Sequence, residues 1–490
     1  MTLSTTLPRL PLLGKAIALV AVLLALVAAL GAVREIVSER EGRLREAQAS
    51  IAASLAASQT LLGPMAQREC VETWERPVDA RGERGTVVER APVSVSAAPT
   101  SLEIDATVAI EPRYRGIFKV NGYVVKARLA ATFADGKGIA VPPPRQPNGR
   151  VVCEAPTLYV ALGDARGIRR AEMTLDGVPA AIRPGTENAA HARGFHVPAP
   201  PAFAAAAAAG TAAVPLRATL DLELVGTGEL AFAPVGADTR VSLASDWPHP
   251  SFAGRFLPVE RTVRDDGFRA VWRTNALATT APRSAEDFGR ACALAGSPED
   301  GVQPAMDGHA ARGPCVETFG VSFIDPVDTY SLADRATKYG LLFIVLTFLG
   351  VGVTEGLRGV RVHPVQYALV GAALAVFFLL LVSLGEHVAF PIAYTVAASA
   401  CTLLLGFYGA FVLGGAVRGA IFGGAIAVLY GVLYLLLQLE QTALLMGSGL
   451  VFAVIAGLMV ATRRLDWYGL FDRMRGPAAG PAPAATPAES

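Results

Sequence analysis

Apolar residues are not spread evenly along this chain. They gather into six blocks with almost no charge, at residues 16–33, 339–353, 365–384, 388–417, 420–439 and 442–462. Each is long enough, or nearly so, to cross the hydrocarbon core of a bilayer, which takes roughly 20 apolar residues in a helix. The pattern predicts one span, a large gap and five further spans. Two readings compete for the first block. Arg9, Lys15 and the small residues Ala28, Ala29 and Gly31 fit a cleaved signal peptide loosely. The run is longer than the usual signal core, however, and leads into a charged, helix-like stretch at 34–45, so an uncleaved anchor is the preferred reading.

Between the first and second blocks the period changes from helical to two. Leu102, Ile104, Ala106, Val108 and Ile110 alternate with mostly polar neighbours, as do Ala218, Leu220, Leu222 and Leu224, and then Phe268, Ala270 and Trp272. Such alternation predicts half-buried strands. Further strands are expected over 116–119, 124–133, 239–243 and 321–324, which together imply a mostly antiparallel, sandwich-like β-rich domain. Two stretches break the pattern and read as loops or insertions. One is 137–156, with Pro142, Pro143 and Pro144; the other is 198–215, whose run Ala204–Ala209 offers no second face to bury.

Composition agrees with a membrane protein: 52% of the residues are hydrophobic and 17% charged, below the share in ordinary soluble domains. The balance of 43 basic to 42 acidic residues argues against nucleic-acid binding, which requires a net basic face. The few cations also set an orientation. Arg9, Lys15, Arg358, Arg361, Arg418, Arg463 and Arg464 fall on one side of the six spans, whereas the opposite short turns carry Glu386, His387, Glu440 and Gln441 and no lysine or arginine. Cationic loops stay in the cytoplasm. The expected organisation is therefore a cytoplasmic start and anchor over 1–36, a periplasmic β-rich domain over 37–335, and a five-helix transmembrane bundle over 336–465. A cytoplasmic, disordered tail over 466–490 places both termini inside a bacterial inner membrane. Cys70, Cys153, Cys292 and Cys315 all lie in the outside segment and could pair in an oxidising compartment, Cys292 with Cys315 closing the shortest loop, or remain buried thiols.

Several local strings stand out. In WPHPSF, at 247–252, two prolines hold His249 extended, which reads as a packed corner with Trp247 and Phe252 buried rather than a site for His249. In SFIDPVDTY, at 322–330, Asp325 and Asp328 are placed to cap the helix that enters the bilayer, with Pro326 in its first turn. RYRGIF at 113–118, HPVQY at 363–367, SLGEH at 383–387, YLLLQLE at 434–440 and TRRLDWY at 462–468 complete the set. In this order, over most of the chain, these strings resemble the CreD-type inner-membrane proteins of bacteria. The resemblance implies a role in cell-envelope integrity under stress control, with links to the β-lactam response, and carries over no catalytic residue and no cofactor. The alanine- and proline-rich insertions and the additional cysteines depart from the family.

Independently of the resemblance, the topology puts Asp325, Asp328, Glu386, His387 and Glu440 at one outer membrane face. Three roles compete for this polar patch. The acids cap the helices that follow them, Glu386 toward the fourth span and Glu440 toward the sixth; or they dock the β-rich domain or a partner; or they hold a metal ion or a proton. His387 is the expected partner of Glu386 or Glu440, with Arg335 and Lys338 as substitutes. Glycines such as Gly406, Gly409, Gly423, Gly424 and Gly431 suit close helix packing. The expectation is a non-enzymatic membrane protein that contacts lipid, whose periplasmic domain binds or senses a wall component or a periplasmic or inner-membrane protein. The alternative is a permease-like or lipid-handling bundle.

Overall fold

The structure is a computed structural model that describes residues 11–80, 83–209, 214–286, 316–323, 325, 329–358, 362–438 and 443–463. The chain divides into two compact units, residues 45–326 and residues 1–44 with 327–490.

The chain opens with α1 (Pro11–Ser54), one 44-residue helix that contributes to both units. The next strands are β1 (Gln59–Ala80), β2 (Glu83–Ala97), β3 (Ser101–Arg115), β4 (Phe118–Phe133), β5 (Arg150–Cys153) and β6 (Thr157–Leu162). They are followed by β7 (Ile168–Leu175), β8 (Val178–Ala180), β9 (Arg183–Pro184) and β10 (Gly194–Pro198). After α2 (Pro201–Ala209) come β11 (Leu216–Thr227), β12 (Glu229–Phe232), β13 (Asp238–Ser245), β14 (Ser251–Gly254), β15 (Glu260–Arg264) and β16 (Gly267–Asn275). A short α3 (Ala281–Glu286) and β17 (Phe319–Ser322) complete the β-rich unit. Among the described residues these strands form two sheets. One runs β14-β17-β12-β1-β6-β10-β9 with β2 and β5 added along β1; the other runs β15-β16-β13-β3-β4-β11-β7-β8. Only β1 with β12 and β13 with β3 pair in parallel.

The alternating residues point into a single core between the sheets. Leu102, Ile104, Leu129, Leu220 and Leu243 from one sheet share it with Leu61, Tyr159, Leu230 and Val321 from the other. Aromatic rings bridge the layers: Trp272 stacks on Phe319 at 5.4 Å between centroids, and Tyr123 meets Phe323 at 5.1 Å. The expected sandwich is therefore present. WPHPSF forms the expected corner, with Trp247 buried, its Nε1 donating to the His249 carbonyl at 2.8 Å, and Phe252 edge-on to Trp272.

Three sequence readings are corrected. The alanine-rich stretch is no featureless insertion: in α2, Phe203 and Ala207 lie one turn apart on one face and are buried in the core, with Phe203 edge-on to Phe133 at 6.4 Å. A single phenylalanine supplied the apolar face that alanines alone lacked. The 137–156 stretch contains β5, paired with β1. The strand expected over 116–119 is present at Phe118 and Lys119, which open β4, whereas residues 116–117 form the turn of the β3–β4 hairpin, where Gly116 takes a positive φ of 60° that a residue with a Cβ adopts only at a cost.

The last turns of α1 are fixed to the sandwich by a polar cluster in which Asp164 and Gln59 are buried and Arg166 is half exposed. Arg166 Nη1 donates to the Ala53 carbonyl at 2.6 Å and so caps the helix C-terminus, while its guanidinium grips Asp164. Asp164 accepts from the Ala57 amide at 3.1 Å, and Gln59 Nε2 donates to the Asp164 and Val225 carbonyls. Burial alone would raise the Asp164 pKa, but Arg166 and the amides of Ala57 and Arg166 outweigh it and hold the carboxyl below its usual value.

The other unit comprises most of α1 with α4 (Thr329–Arg358), α5 (Pro364–Gly385), α6 (Phe390–Val412), α7 (Ala416–Gln438) and α8 (Ala443–Thr462). Five helices, α1 and α4 to α7, are long and apolar enough to cross a membrane. The sixth expected span falls on α8, an apolar helix of 20 residues. Leu26, Leu30 and Val33 of α1 share one buried core with Phe343, Phe378, Tyr394 and Tyr430. Small residues bring α6 and α7 together: a Cβ added at Gly423 would lie 3.1 Å from the Gly406 Cα, and one at Gly419 2.5 Å from the Ala410 Cβ. Gly424 and Gly431, expected to serve the same packing, have nothing within 4 Å of an added Cβ.

Two outcomes follow. Phe203→Ala should destabilise the β-rich unit by about 3–4 kcal/mol and Ala205→Gln, on the exposed face of α2, by no more than about 0.5 kcal/mol, as read by thermal unfolding monitored through tryptophan fluorescence. Because the folded pKa of Asp164 is depressed, its contribution is complete above the ordinary carboxylate range near pH 4 and is lost as pH falls through the folded value. Asp164→Asn should therefore melt lower at neutral pH and lose less further stability than the unmutated chain on acidification; equal pH slopes would contradict this assignment.

Candidate functional site

Of the expected polar patch, Asp328 and Glu440 lie outside the described residues, as do Cys292 and Cys315. The three others do not act as their sequence positions suggest. Asp325 sits 3.6 Å from Lys119 of β4, with both side chains more than 40% exposed, a pair of little energetic weight. Two residues earlier, the Phe323 carbonyl accepts from Asn121 Nδ2 at 3.0 Å, so Phe323 and Asp325 both meet residues at the start of β4, beside the RYRGIF hairpin.

Glu386 occupies the C-cap of α5, and the N-cap of α6 is Ala389, with no side-chain hydrogen bond. Glu386 thus does not cap the helix that follows it. A carboxylate at a helix C-terminus opposes the macrodipole and is unfavourable there without a cation. That cation is Arg40 of α1, whose Nε lies 3.2 Å from Glu386 Oε1, the Glu386 side chain being 10% exposed. Neither His387 nor Lys338 is the partner expected from sequence: His387 Nδ1 meets the Ser383 carbonyl at 3.2 Å, and Lys338 pairs with Asp334 one turn away. Arg40 escaped notice because it is 346 positions from Glu386 and lies in a charged stretch that resembles any solvated helix face.

A second ion pair, not anticipated at all, lies at the other end of the apolar run of α1. Lys15 Nζ pairs with Glu355 near the C-terminus of α4. Tyr367 OH donates to Glu355 Oε2 at 3.0 Å, and the ammonium stands 6.0 Å from the Tyr367 ring centre. Val362, Tyr367 and Val351 close around it. Arg34 adds a bond to the Thr337 carbonyl at 3.4 Å. The same chemistry recurs at both ends, a cation of α1 compensating an acid misplaced at a helix C-terminus. Lys15 and Arg40 are 25 residues apart, about 37 Å along a helix, slightly more than the ~30 Å hydrocarbon core of a bilayer.

The β-rich unit carries a different kind of site. The solvent face of the eight-stranded sheet forms an open trough of about 790 Å³ whose floor is a mixed-charge ladder. Register places Asp105 opposite Arg128, Arg128 opposite Asp221, and Asp221 opposite Glu172. Arg128 grips Asp221 through two bonds, at 2.7 and 3.2 Å, which raise the guanidinium pKa further. Arg170 does the same with Glu172, at 2.9 Å for each bond. Lys126, Glu223 and Arg269 add further charges to the lining. Fixed guanidinium and carboxylate groups on rigid strands suit ionic and hydrogen-bonded recognition of an extended, charged surface. The period-two alternation contained this signal, since every outward position of β4 and β11 in this region is charged.

Among the described residues, no three His, Cys, Asp or Glu side chains converge as a metal site, and the Glu386 carboxylate is already engaged by Arg40. Cys70 and Cys153 face each other across β1 and β5 and form a disulfide, a pairing that the short Cys292–Cys315 loop did not suggest. Cys401 is a buried thiol within α6.

Comparison with known proteins converges on one family. The family model described as inner membrane protein CreD matches residues 11–468. The inner membrane protein CreD of Escherichia coli (strain K12) is 31% identical over 459 residues, covering 94% of each chain. Coverage of this extent embraces the β-rich unit and the apolar helices alike, and this chain belongs to the CreD family of inner-membrane proteins.

Proposed function

We propose that this chain serves envelope integrity under stress, with the β-rich unit in the periplasm, the connectors bearing Arg358, Arg361 and Arg418 on the cytoplasmic side, and no catalytic reaction of its own. In this reading the β-rich unit binds a wall component or a protein partner through the mixed-charge trough, and α1 conveys the bound state to the bundle. The observation that carries the proposal is α1 itself. One helix supplies core residues to the bundle at Leu26 and Leu30 and has its C-terminus capped by Arg166 of the β-rich unit. The Cys70–Cys153 disulfide supports an oxidising location, and the scarcity of cations in the turn at Glu386 and His387 supports the same sidedness.

Sidedness is tested by thiol accessibility. Leu277→Cys, at a fully exposed position of the β-rich unit, should react with a membrane-impermeant maleimide in cells whose outer membrane alone is permeabilised, and Arg463→Cys only after lysis. The reverse pattern overturns the orientation. Coupling is tested separately. Lys126→Glu with Arg269→Glu should abolish co-purification of a partner from mildly solubilised membranes. Arg40→Ala or Glu386→Ala should leave the partner bound but remove the envelope-stress phenotype, the double variant being no worse than either single one. Loss of phenotype that merely tracks loss of protein would reduce the Arg40–Glu386 pair to a structural tie.

A further inference from the structure

No residue of RYRGIF, at 113–118, belongs to the core between the sheets. The string forms the end of the β3–β4 hairpin, where Gly116 and Ile117 make a two-residue turn. Glycine at the first central position suits such a turn, and a small polar residue normally follows it. Here isoleucine follows, 51% exposed, and Tyr114 on β3 is 67% exposed. Neither turn geometry nor packing accounts for these two side chains. Apolar residues exposed singly are common, but these two stand together with a cation between them. Arg113 is paired with Glu111 and Lys119 with Asp325, whereas Arg115 forms no ion pair among the described residues.

The hairpin also lies where the β-rich unit is tethered. At its base, a Cβ added to Gly122 would stand 3.4 Å from Leu55, just past the end of α1. Three residues nearer the turn, Lys119 pairs with Asp325, four positions before α4 begins. The helix α1 leads the chain away from its apolar run and Asp325 begins the return, so the hairpin, followed from base to turn, runs with the returning chain toward the lipid. Chain length permits contact. Ala333 of α4 packs with Val37 and with Val382, within one turn of the end of α5. From Ala333 back to Asp325 the chain covers at most ~20 Å, in four helical steps and four extended ones. The three residues from Lys119 to the turn, with a side chain, recover about 15 Å. The remaining ~5 Å is no more than the depth of one headgroup layer. We propose that the β3–β4 turn inserts into the headgroup layer of the membrane that α1 and α4 cross, with Ile117 at the acyl boundary, the Tyr114 ring in the interface and the Arg115 guanidinium on a lipid phosphate. Tyrosine favours that zone because its ring is apolar while its hydroxyl stays hydrated, and the guanidinium fork matches phosphate oxygens. This contact is the same on either side of the membrane and needs neither the trough nor a protein partner.

The test uses full-length protein in liposomes of phosphatidylethanolamine and phosphatidylglycerol, with Cys292, Cys315 and Cys401 replaced by serine and the Cys70–Cys153 bond retained. Ile117→Cys and, for comparison, Leu277→Cys, at a position 98% exposed, each carry a nitrobenzoxadiazole label. Phospholipid bearing a nitroxide near the top of its acyl chain, present in both leaflets, should quench the label at 117 about twofold and leave the label at 277 unchanged. The label at 117 should also emit at shorter wavelength than the label at 277. Tyr114→Ser combined with Arg115→Glu should remove most of the quenching at 117 without lowering the unfolding temperature, since both side chains are exposed. Equal quenching at 117 and 277 would leave the turn in water and overturn the proposal. A blue-shifted label that lipid does not quench would overturn it in favour of a protein surface, and quenching untouched by the double variant would overturn it as well. The liposomes contain no wall component and no other protein, so failure of partner binding at the trough moves none of these readings.

Discussion

An acid at the C-terminus of a helix is in the wrong place, and the described residues of this bundle include two of them. Glu386 ends α5 and Glu355 lies near the end of α4, each facing the negative pole of its own helix. Each is held by a cation from α1: Arg40 at one end of the apolar run and Lys15 at the other. Without α1, both carboxylates would be partly desolvated and uncompensated, a condition that costs several kcal/mol in a low-dielectric setting. This constraint makes the first helix part of the bundle, with Leu26 and Leu30 in its core, although more than 270 residues separate it from α4.

The same helix is fixed at its far end by different chemistry. Arg166 caps the last carbonyls of α1 while Asp164 and Gln59 satisfy the polar groups where the chain turns into β1. The sandwich is equally constrained. Rings from both sheets, Trp272 on Phe319 and Tyr123 on Phe323, interlock across its core.

Surface chemistry differs from this interior in kind. The trough presents paired charges on strands whose backbone is fixed by neighbours on both sides, which favours recognition by geometry over recognition by net charge. The β1–β2 arm is fixed only at its disulfide-bonded base and presents backbone groups and valines at its edge.

The apolar blocks determined the helices, and the alternation through Leu102–Ile110 and Leu220–Leu224 determined the sandwich, because a buried face imposes its period on any sequence that forms it. The ordered strings RYRGIF, WPHPSF and SFIDPVDTY were enough to indicate the family that the whole-chain match establishes. What the sequence did not contain was the choice of partners. Glu386 has nearby histidine and lysine in the chain, but the packing of α1 against the α5 turn delivers Arg40 instead. Phe203 turned an alanine tract into a packed helix only because Phe133 lay opposite, and Cys70 found Cys153 through strand register rather than loop length. Local pattern is set by solvent, which every segment meets alone; pairing is set by contacts between segments far apart in the chain, which only the folded structure brings together.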